Sequence, residues 1–186
     1  MSELTPFQTI GPFFHFALPY RGGETLAGQR TPGDRIVLEG TVRDGAGAPV
    51  PEALVEIWQA DASGVYHHPD DERDSSSHDA FDGFGRTPTD PDGRYAFTTI
   101  KPGRVPAPDG LLQARHVLFG ILGRGILTRL VTRMYFEDDE STADDPILAR
   151  VPPTRRSTLL ARLTSEGRYR FDIVLQGVGE TVFFDV

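Results

Sequence analysis

Alternation of apolar and polar residues predicts β-strands along most of the chain. The stretch RIVLEGTVR, residues 35–43, places Ile36, Leu38, Gly40 and Val42 on one face, which is typical of a half-buried strand. Similar patterns or short apolar runs predict further strands over 54–59, 95–100, 116–122, 127–136 and 169–175. The strands 116–122 and 127–136 are joined by a glycine-rich turn, so we expect them to form a hairpin.

Turn residues separate these strands, and helical signals are few. Asp90-Pro91-Asp92-Gly93 is typical of a tight turn, since Pro fixes φ and Gly accepts a positive φ. Asp145 is positioned to cap a short helix with Pro146 at its first position, and residues 157–163 predict a second short helix. Residues 1–20 contain four Phe but no period, and their prolines disfavour a regular element.

Many strands with at most two short helices predict an all-β fold, a single-domain antiparallel β-sandwich with long loops. We expect residues 35–186 to form the sandwich. Residues 1–34 are expected to be an arm and a loop of the same domain. The apolar arm either lies on its own domain or reaches a partner subunit, because exposed apolar stretches tend to be interfaces.

The composition of the chain argues against several classes of partner and site. The 186 residues include 27 acidic and 19 basic residues, a net charge of −8, which argues against nucleic acid or an anionic membrane as the main partner. There is no Cys, and hence neither a disulfide framework nor a thiolate metal site. No apolar run approaches membrane-spanning length and the N-terminus lacks a secretory pattern, so we expect a cytoplasmic protein.

Short motifs in the middle of the chain carry a specific resemblance. They are Val55-Glu56-Ile57-Trp58-Gln59-Ala60-Asp61, Gly64-Val65-Tyr66, Phe84-Gly85-Arg86 with Thr89-Asp90, and Thr99-Ile100-Lys101-Pro102-Gly103. In this order and spacing they resemble the core of the intradiol ring-cleavage dioxygenases. The resemblance implies a β-sandwich and the use of non-haem iron(III) and O2 to split catechol rings between the two hydroxyls.

The resemblance also implies an iron site of two Tyr and two His, a donor set that suits iron(III). The first Tyr position is Tyr66, but the second is Val105. The first His position is His116, but the second is Leu118. We therefore expect no metal and no catalytic residue in this chain, and interpret the two survivors as buried, hydrogen-bonded remnants.

A second group of histidines lies in the polar run 67–83, which contains His67, His68 and His78. These residue types could bind a metal, but a run so polar is typical of a solvated surface loop.

Within the family, the half-lost ligand set resembles the metal-free chain of a two-chain enzyme whose homologous partner carries the iron(III). The resemblance implies a hetero-oligomer that acts on a catechol bearing a carboxylate. It also implies that Arg133, in the motif Thr132-Arg133-Met134-Tyr135-Phe136, and Thr9, Gly11 and Pro12 of the arm bind substrate in the partner's pocket. Without the resemblance, Arg133 would be interpreted as an exposed strand residue.

Two alternatives stay open. One is a stand-alone intradiol dioxygenase acting on catechol or hydroxyquinol, against which the two missing ligands argue. The other is a non-enzymatic β-sandwich binding module, which the generic segment GTVRDGAGAPVPEALVEIW permits.

Overall fold

The computed structural model describes residues 8–73, 81–107 and 110–185. That part of the chain is mostly sheet. Its elements are α1 (Pro12–Ala17), β1 (Arg35–Arg43), β2 (Leu54–Trp58), β3 (Phe84–Pro88), β4 (Arg94–Ile100), β5 (His116–Leu122), β6 (Leu130–Phe136), 3₁₀ helices at Glu140–Asp144, Leu148–Arg150 and Pro153–Leu159, β7 (Leu160–Ser165), β8 (Arg168–Arg170) and β9 (Ile173–Val174). None of the described helices is both long and apolar enough to cross a membrane.

Most predicted strands are confirmed. Strands β1 and β5 have the predicted bounds, and β2 and β4 differ by one residue at one end. Strand β1 buries the predicted face, including Leu38 and Val42. The predicted strand 169–175 is divided into β8 and β9, and the predicted turn before β4 forms with Gly93 at φ +71°.

The predictions about residues 157–163 and about the arm were wrong. Residues 157–163 were expected to be a helix, but a 3₁₀ helix ends at Leu159 and β7 begins at Leu160. Pairing of β7 with β6 and β8 overrides the local pattern. The arm was expected to lack a regular element, yet α1 forms with Pro12 at its start, where the missing N–H breaks no helical hydrogen bond.

The strands form one mixed sheet in the order β3-β2-β5-β6-β7-β8-β1-β4, with β9 beside β1. The expectation of a purely antiparallel sheet was wrong, because β6–β7, β1–β8 and β1–β9 are parallel pairs. The predicted β5–β6 hairpin is confirmed as an antiparallel pair. Residues 23–26 lie against both end strands, since Gly23 accepts a hydrogen bond from Arg86 of β3 and Leu26 donates one to Thr98 of β4.

The core joins strands that are far apart in the order of the sheet. The ring of Phe119 on β5 is 5.9 Å from that of Tyr95 on β4 and 5.2 Å from that of Phe171, which follows β8. Each large apolar side chain buried here contributes about 1.5–3 kcal/mol to folding. The core therefore holds the strand ends that carry the predicted site in fixed positions.

Candidate functional site

The site begins at a tight turn after β2. The carboxylate of Asp61 accepts hydrogen bonds from the backbone N–H of Ser63 and Val65 and from the Ser63 hydroxyl, at 2.7–3.0 Å. Gly64 closes the turn at φ +86°, a conformation that favours glycine. The turn delivers Tyr66 to the end of the sheet.

A second turn, Lys101-Pro102-Gly103, packs directly on the first. The N–H of Gly103 donates to the Asp61 carbonyl at 2.7 Å. A Cβ on Gly64 would lie 2.1 Å from the Arg104 carbonyl oxygen, and one on Gly103 would lie 2.3 Å from the Gly64 nitrogen. Both glycines are therefore required for the segments that carry Tyr66 and Val105 to lie side by side.

Tyr66 and His116 form a pair at this place. The Tyr66 hydroxyl lies 3.5 Å from His116 Nε2, and His116 Nδ1 lies 2.8 Å from the Ala114 carbonyl. Since that carbonyl can only accept, Nδ1 carries the proton and Nε2 accepts from the hydroxyl. Burial and then the charge of Arg133 lower the pKa of His116 to about 4, so the imidazole is neutral at pH 7. Burial raises the pKa of Tyr66, so the phenol is neutral too.

The surroundings of this pair hold it in place. The rings of Tyr66 and Trp58 are stacked, with centroids 5.8 Å apart and planes 9° from parallel. On β5, Leu118 pairs with Trp58 on one side and with Arg133 on the other. Val105 is buried at 7% exposure.

Arg133 lies beside this pair in its own chain. The side chain is half-buried, and Nη1 donates to Gln113 Oε1 at 2.6 Å. Its positive charge lowers the pKa of both Tyr66 and His116, although burial outweighs this at Tyr66. No pattern in the sequence connected Gln113 with Arg133, twenty residues away.

A buried carboxylate supports the next residue of β6. Asp145 Oδ1 accepts from the Tyr135 hydroxyl at 2.9 Å, and Oδ2 accepts from the Ala114 N–H at 2.8 Å. Oδ1 also accepts from the N–H groups of Ile147 and Leu148. The prediction that Asp145 caps a helix beginning at Pro146 was wrong, because the 3₁₀ helix begins at Leu148, with Ile147 as its N-cap residue and no side-chain cap. Burial and the Asp145 charge raise the pKa of Tyr135.

These residues do not fit the iron site of the family. Tyr66 and His116 offer one phenol and one imidazole, while Val105 and Leu118 have no donor atom. In the described ranges, no three His, Cys, Asp or Glu side chains form a group that could hold a metal ion. His78 lies outside the described residues, so its prediction has no structural counterpart.

The arm lies at the opposite end of the β5–β6 hairpin. The Thr9 hydroxyl donates to the Gly123 carbonyl at 3.1 Å and accepts from the Gly125 N–H at 2.8 Å, at the hairpin turn. The five residue-to-residue steps from Leu118 on β5 to Gly123, which follows the strand, span about 17 Å. Within one chain, the predicted substrate-binding residues therefore do not come together, since Arg133 is at one end and Thr9 at the other.

Parts of the arm are available to a partner. A Cβ on Gly11 would meet nothing within 4 Å in this chain. The backbone of Pro12 begins α1, but its side chain lies outside what the structure describes. Phe13 and Phe16 are 76% and 81% exposed, while Phe14 faces a cavity of about 20 Å³ shared with Leu54 and Pro88. The arm thus packs on its own sheet and presents aromatic rings outward.

Comparison with known proteins agrees with this architecture. A family model described as dioxygenase matches residues 10–177. The chain is 40% identical to the protocatechuate 3,4-dioxygenase alpha chain of Burkholderia cepacia, over 98% of this chain and 97% of that one. It is 44% identical to the beta chain from the same organism, over 91% of this chain and 74% of that one. A solved dioxygenase domain of a carbohydrate-binding fusion protein from Streptomyces sp. SirexAA-E matches with a TM-score of 0.64 and 29% identity, covering 94% of this chain and 99% of that one.

Proposed function

The chain belongs to the intradiol ring-cleavage dioxygenase family, and from this we propose that it is the alpha subunit of a protocatechuate 3,4-dioxygenase. Its relatives are subunits of oxidoreductases that use non-haem iron and O2. The proposed enzyme converts protocatechuate to 3-carboxy-cis,cis-muconate. We propose that a homologous beta subunit carries the iron(III) and that this chain completes the substrate pocket in a hetero-oligomer.

One observation carries the choice of alpha over beta. Identities of 40% and 44% do not separate the two kinds of chain. The ligand positions do, because Val105 and Leu118 cannot bind iron and only the Tyr66–His116 pair remains. The match over 97% of an alpha chain, against 74% of a beta chain, supports the same choice.

The arm is the part of this chain that we propose to reach the partner. Its outward Phe rings are an apolar surface of the kind that a second protein covers. Gly11 lets a ligand approach the backbone, since no side chain stands there. Thr9, Gly11 and Pro12 would form a wall of the partner's pocket and hold the substrate in orientation, which raises the rate without supplying redox chemistry. The division into an arm and loop (1–34) and a β-sandwich (35–186) stays part of this proposal.

Arg133 stays a predicted substrate-binding residue, and its position limits where the substrate could contact this chain. A guanidinium suits a carboxylate because its planar fork can bond both oxygens. In this chain, however, it faces Gln113 and the Tyr66–His116 pair. If Arg133 contacts the partner's substrate, the contact is therefore made from the end of the β5–β6 hairpin near Tyr66 and His116, and not from the end where the arm is attached.

The experiment is a measurement of bound iron and visible absorbance, for this chain alone and after co-expression with a homologous chain that has all four ligands. The proposal expects a colourless, iron-free single chain and a coloured complex that cleaves protocatechuate. Stoichiometric iron and ring cleavage by the single chain would favour a stand-alone catechol or hydroxyquinol dioxygenase. Failure to associate with an iron-bearing homologue would favour a non-enzymatic module.

A further inference from the structure

Arg133 lies between the two positions where iron ligands are missing. It pairs across the sheet with Leu118, where the family has a His. Its guanidinium is held by the side chain of Gln113, and the N–H of Gln113 donates at 2.8 Å to the carbonyl of Val105, where the family has a Tyr. The backbone thus fixes Gln113 beside one vacated position, and Gln113 fixes the guanidinium near both.

Arg133 forms no direct ion pair with a described carboxylate. Among the described residues, no Asp or Glu oxygen lies within 4.0 Å of its guanidinium, whereas Arg86 and Arg129 both bond Glu56. Its hydrogen-bond partner Gln113 is neutral. The guanidinium also interacts with the Tyr135 hydroxyl, which donates in turn to the buried carboxylate of Asp145. The place of the lost metal site therefore holds a permanent cation that no described carboxylate contacts directly.

We propose that Arg133 is a second barrier to metal binding, so that replacing the two lost ligands would not by itself restore an iron site. A trivalent cation placed next to a guanidinium at low effective dielectric is repelled strongly, because like charges a few ångströms apart disfavour each other most where water is excluded. Gln113 acts as the positioning residue that keeps the guanidinium at this place. The inference rests on the proposed function, in that it assumes a metal-free chain paired with an iron-bearing one.

The experiment restores the ligands with V105Y/L118H and compares three residues at position 133 in the co-expressed complex. With Arg133 in place, we expect about one iron per pair of chains, the partner's own. With R133Q added, which keeps a long polar side chain without charge, we expect a second iron and at least about a 100-fold gain in iron affinity at the restored site. With R133K added, which keeps the charge, we expect no second iron.

The outcomes separate the inference from the proposed function. Two irons per pair in the wild-type complex would mean that this chain holds iron itself, and the proposed function would fail. One iron in the wild type but a second in V105Y/L118H with Arg133 intact would overturn only the barrier. Equal iron content in V105Y/L118H/R133Q and V105Y/L118H/R133K would also overturn the barrier. So would the absence of a second iron in V105Y/L118H/R133Q, provided that its melting temperature matches that of V105Y/L118H.

A simpler variant tests the inference if the V105Y/L118H substitutions prevent folding. R133Q alone introduces no larger side chain, and it leaves Tyr66 and His116 as the available donors. We expect it to bind Co²⁺ at least about tenfold more tightly than the wild-type chain, since a repelling charge is gone, whereas R133K should not. The Co²⁺ absorption bands give the readout, and equal affinity in R133Q and R133K would refute the role of the charge.

Discussion

The buried His116 makes the stability of this chain depend on pH. Its pKa is about 4 in the folded chain because burial and the Arg133 charge disfavour the imidazolium. In the unfolded chain, the ordinary pKa of 6.5 applies. As pH falls below 6.5, the unfolded chain binds a proton that the folded chain does not. The folded state is therefore progressively destabilised between pH 6.5 and pH 4, and no further below that.

The two pKa values give the magnitude. Between pH 7 and pH 5, linkage predicts a loss of about 2 kcal/mol in the free energy of unfolding. With a denaturant slope of about 2 kcal/mol/M, the urea midpoint should fall by about 1 M. Within the part of the chain that the structure describes, Asp71 and Asp139 have a lowered pKa; they stabilise the fold above their ordinary pKa of 3.8 and lose that contribution only below it. They lie outside this window.

The assay is urea unfolding of the isolated chain at pH 7 and pH 5, followed by the fluorescence of its single Trp, Trp58, which stacks on Tyr66. The control is His116→Gln, whose amide has no pKa in this range and can still accept from the Tyr66 hydroxyl. The wild type should lose about 2 kcal/mol more than the variant between the two pH values. An equal pH dependence in both proteins would refute the reasoning, because the titrating group would then lie elsewhere.

Three further predictions follow from the contacts. Asp145→Ala should destabilise the chain by about 3–5 kcal/mol in urea unfolding, because it leaves four donors without their acceptor, against about 1 kcal/mol for Tyr135→Phe, which removes one bond. Phe13→Ser should weaken association with the partner by about 30-fold, since a buried Phe contributes roughly 2 kcal/mol. Val178→Ser, at another exposed apolar residue outside the arm, is the control, and equal effects of the two variants in titration calorimetry would contradict docking through the arm. Arg133→Ala should raise KM for protocatechuate more than for catechol in the complex, and an equal change for both substrates would contradict a carboxylate contact.

The sequence predicted those strands whose alternation is local. Residues 35–43 and 116–122 carry their own pattern, and the structure confirms their bounds. The parallel pairs could not be predicted in this way, because they join segments far apart in the chain whose alternation is the same for either direction of pairing. Strand β7 was missed for a related reason. The apolar residues of STLLARL suit a helix as well as a strand, and the partner strands decide between them.

The sequence motifs identified Tyr66 and His116 as residues of the candidate site, but they did not predict how its side chains contact one another. The motifs placed Tyr66 and His116, and the structure brings their polar atoms to 3.5 Å. The hydrogen bond from Arg133 to Gln113 depends on how the segment before β5 turns back against Val105, which no local pattern encodes.

On the proposed function, the separation of the two ends of the β5–β6 hairpin would let a chain without a metal site still serve a metal enzyme. At one end, Tyr66 and His116 satisfy each other, so a missing metal leaves no buried polar group unpaired there. At the other end, about 17 Å away along the strand, the Thr9 hydroxyl anchors the arm to the hairpin turn. Neither set of contacts involves the other. A change of ligand or charge near Arg133 therefore alters what this chain can bind, while the arm that we propose to complete the partner's pocket keeps its attachment.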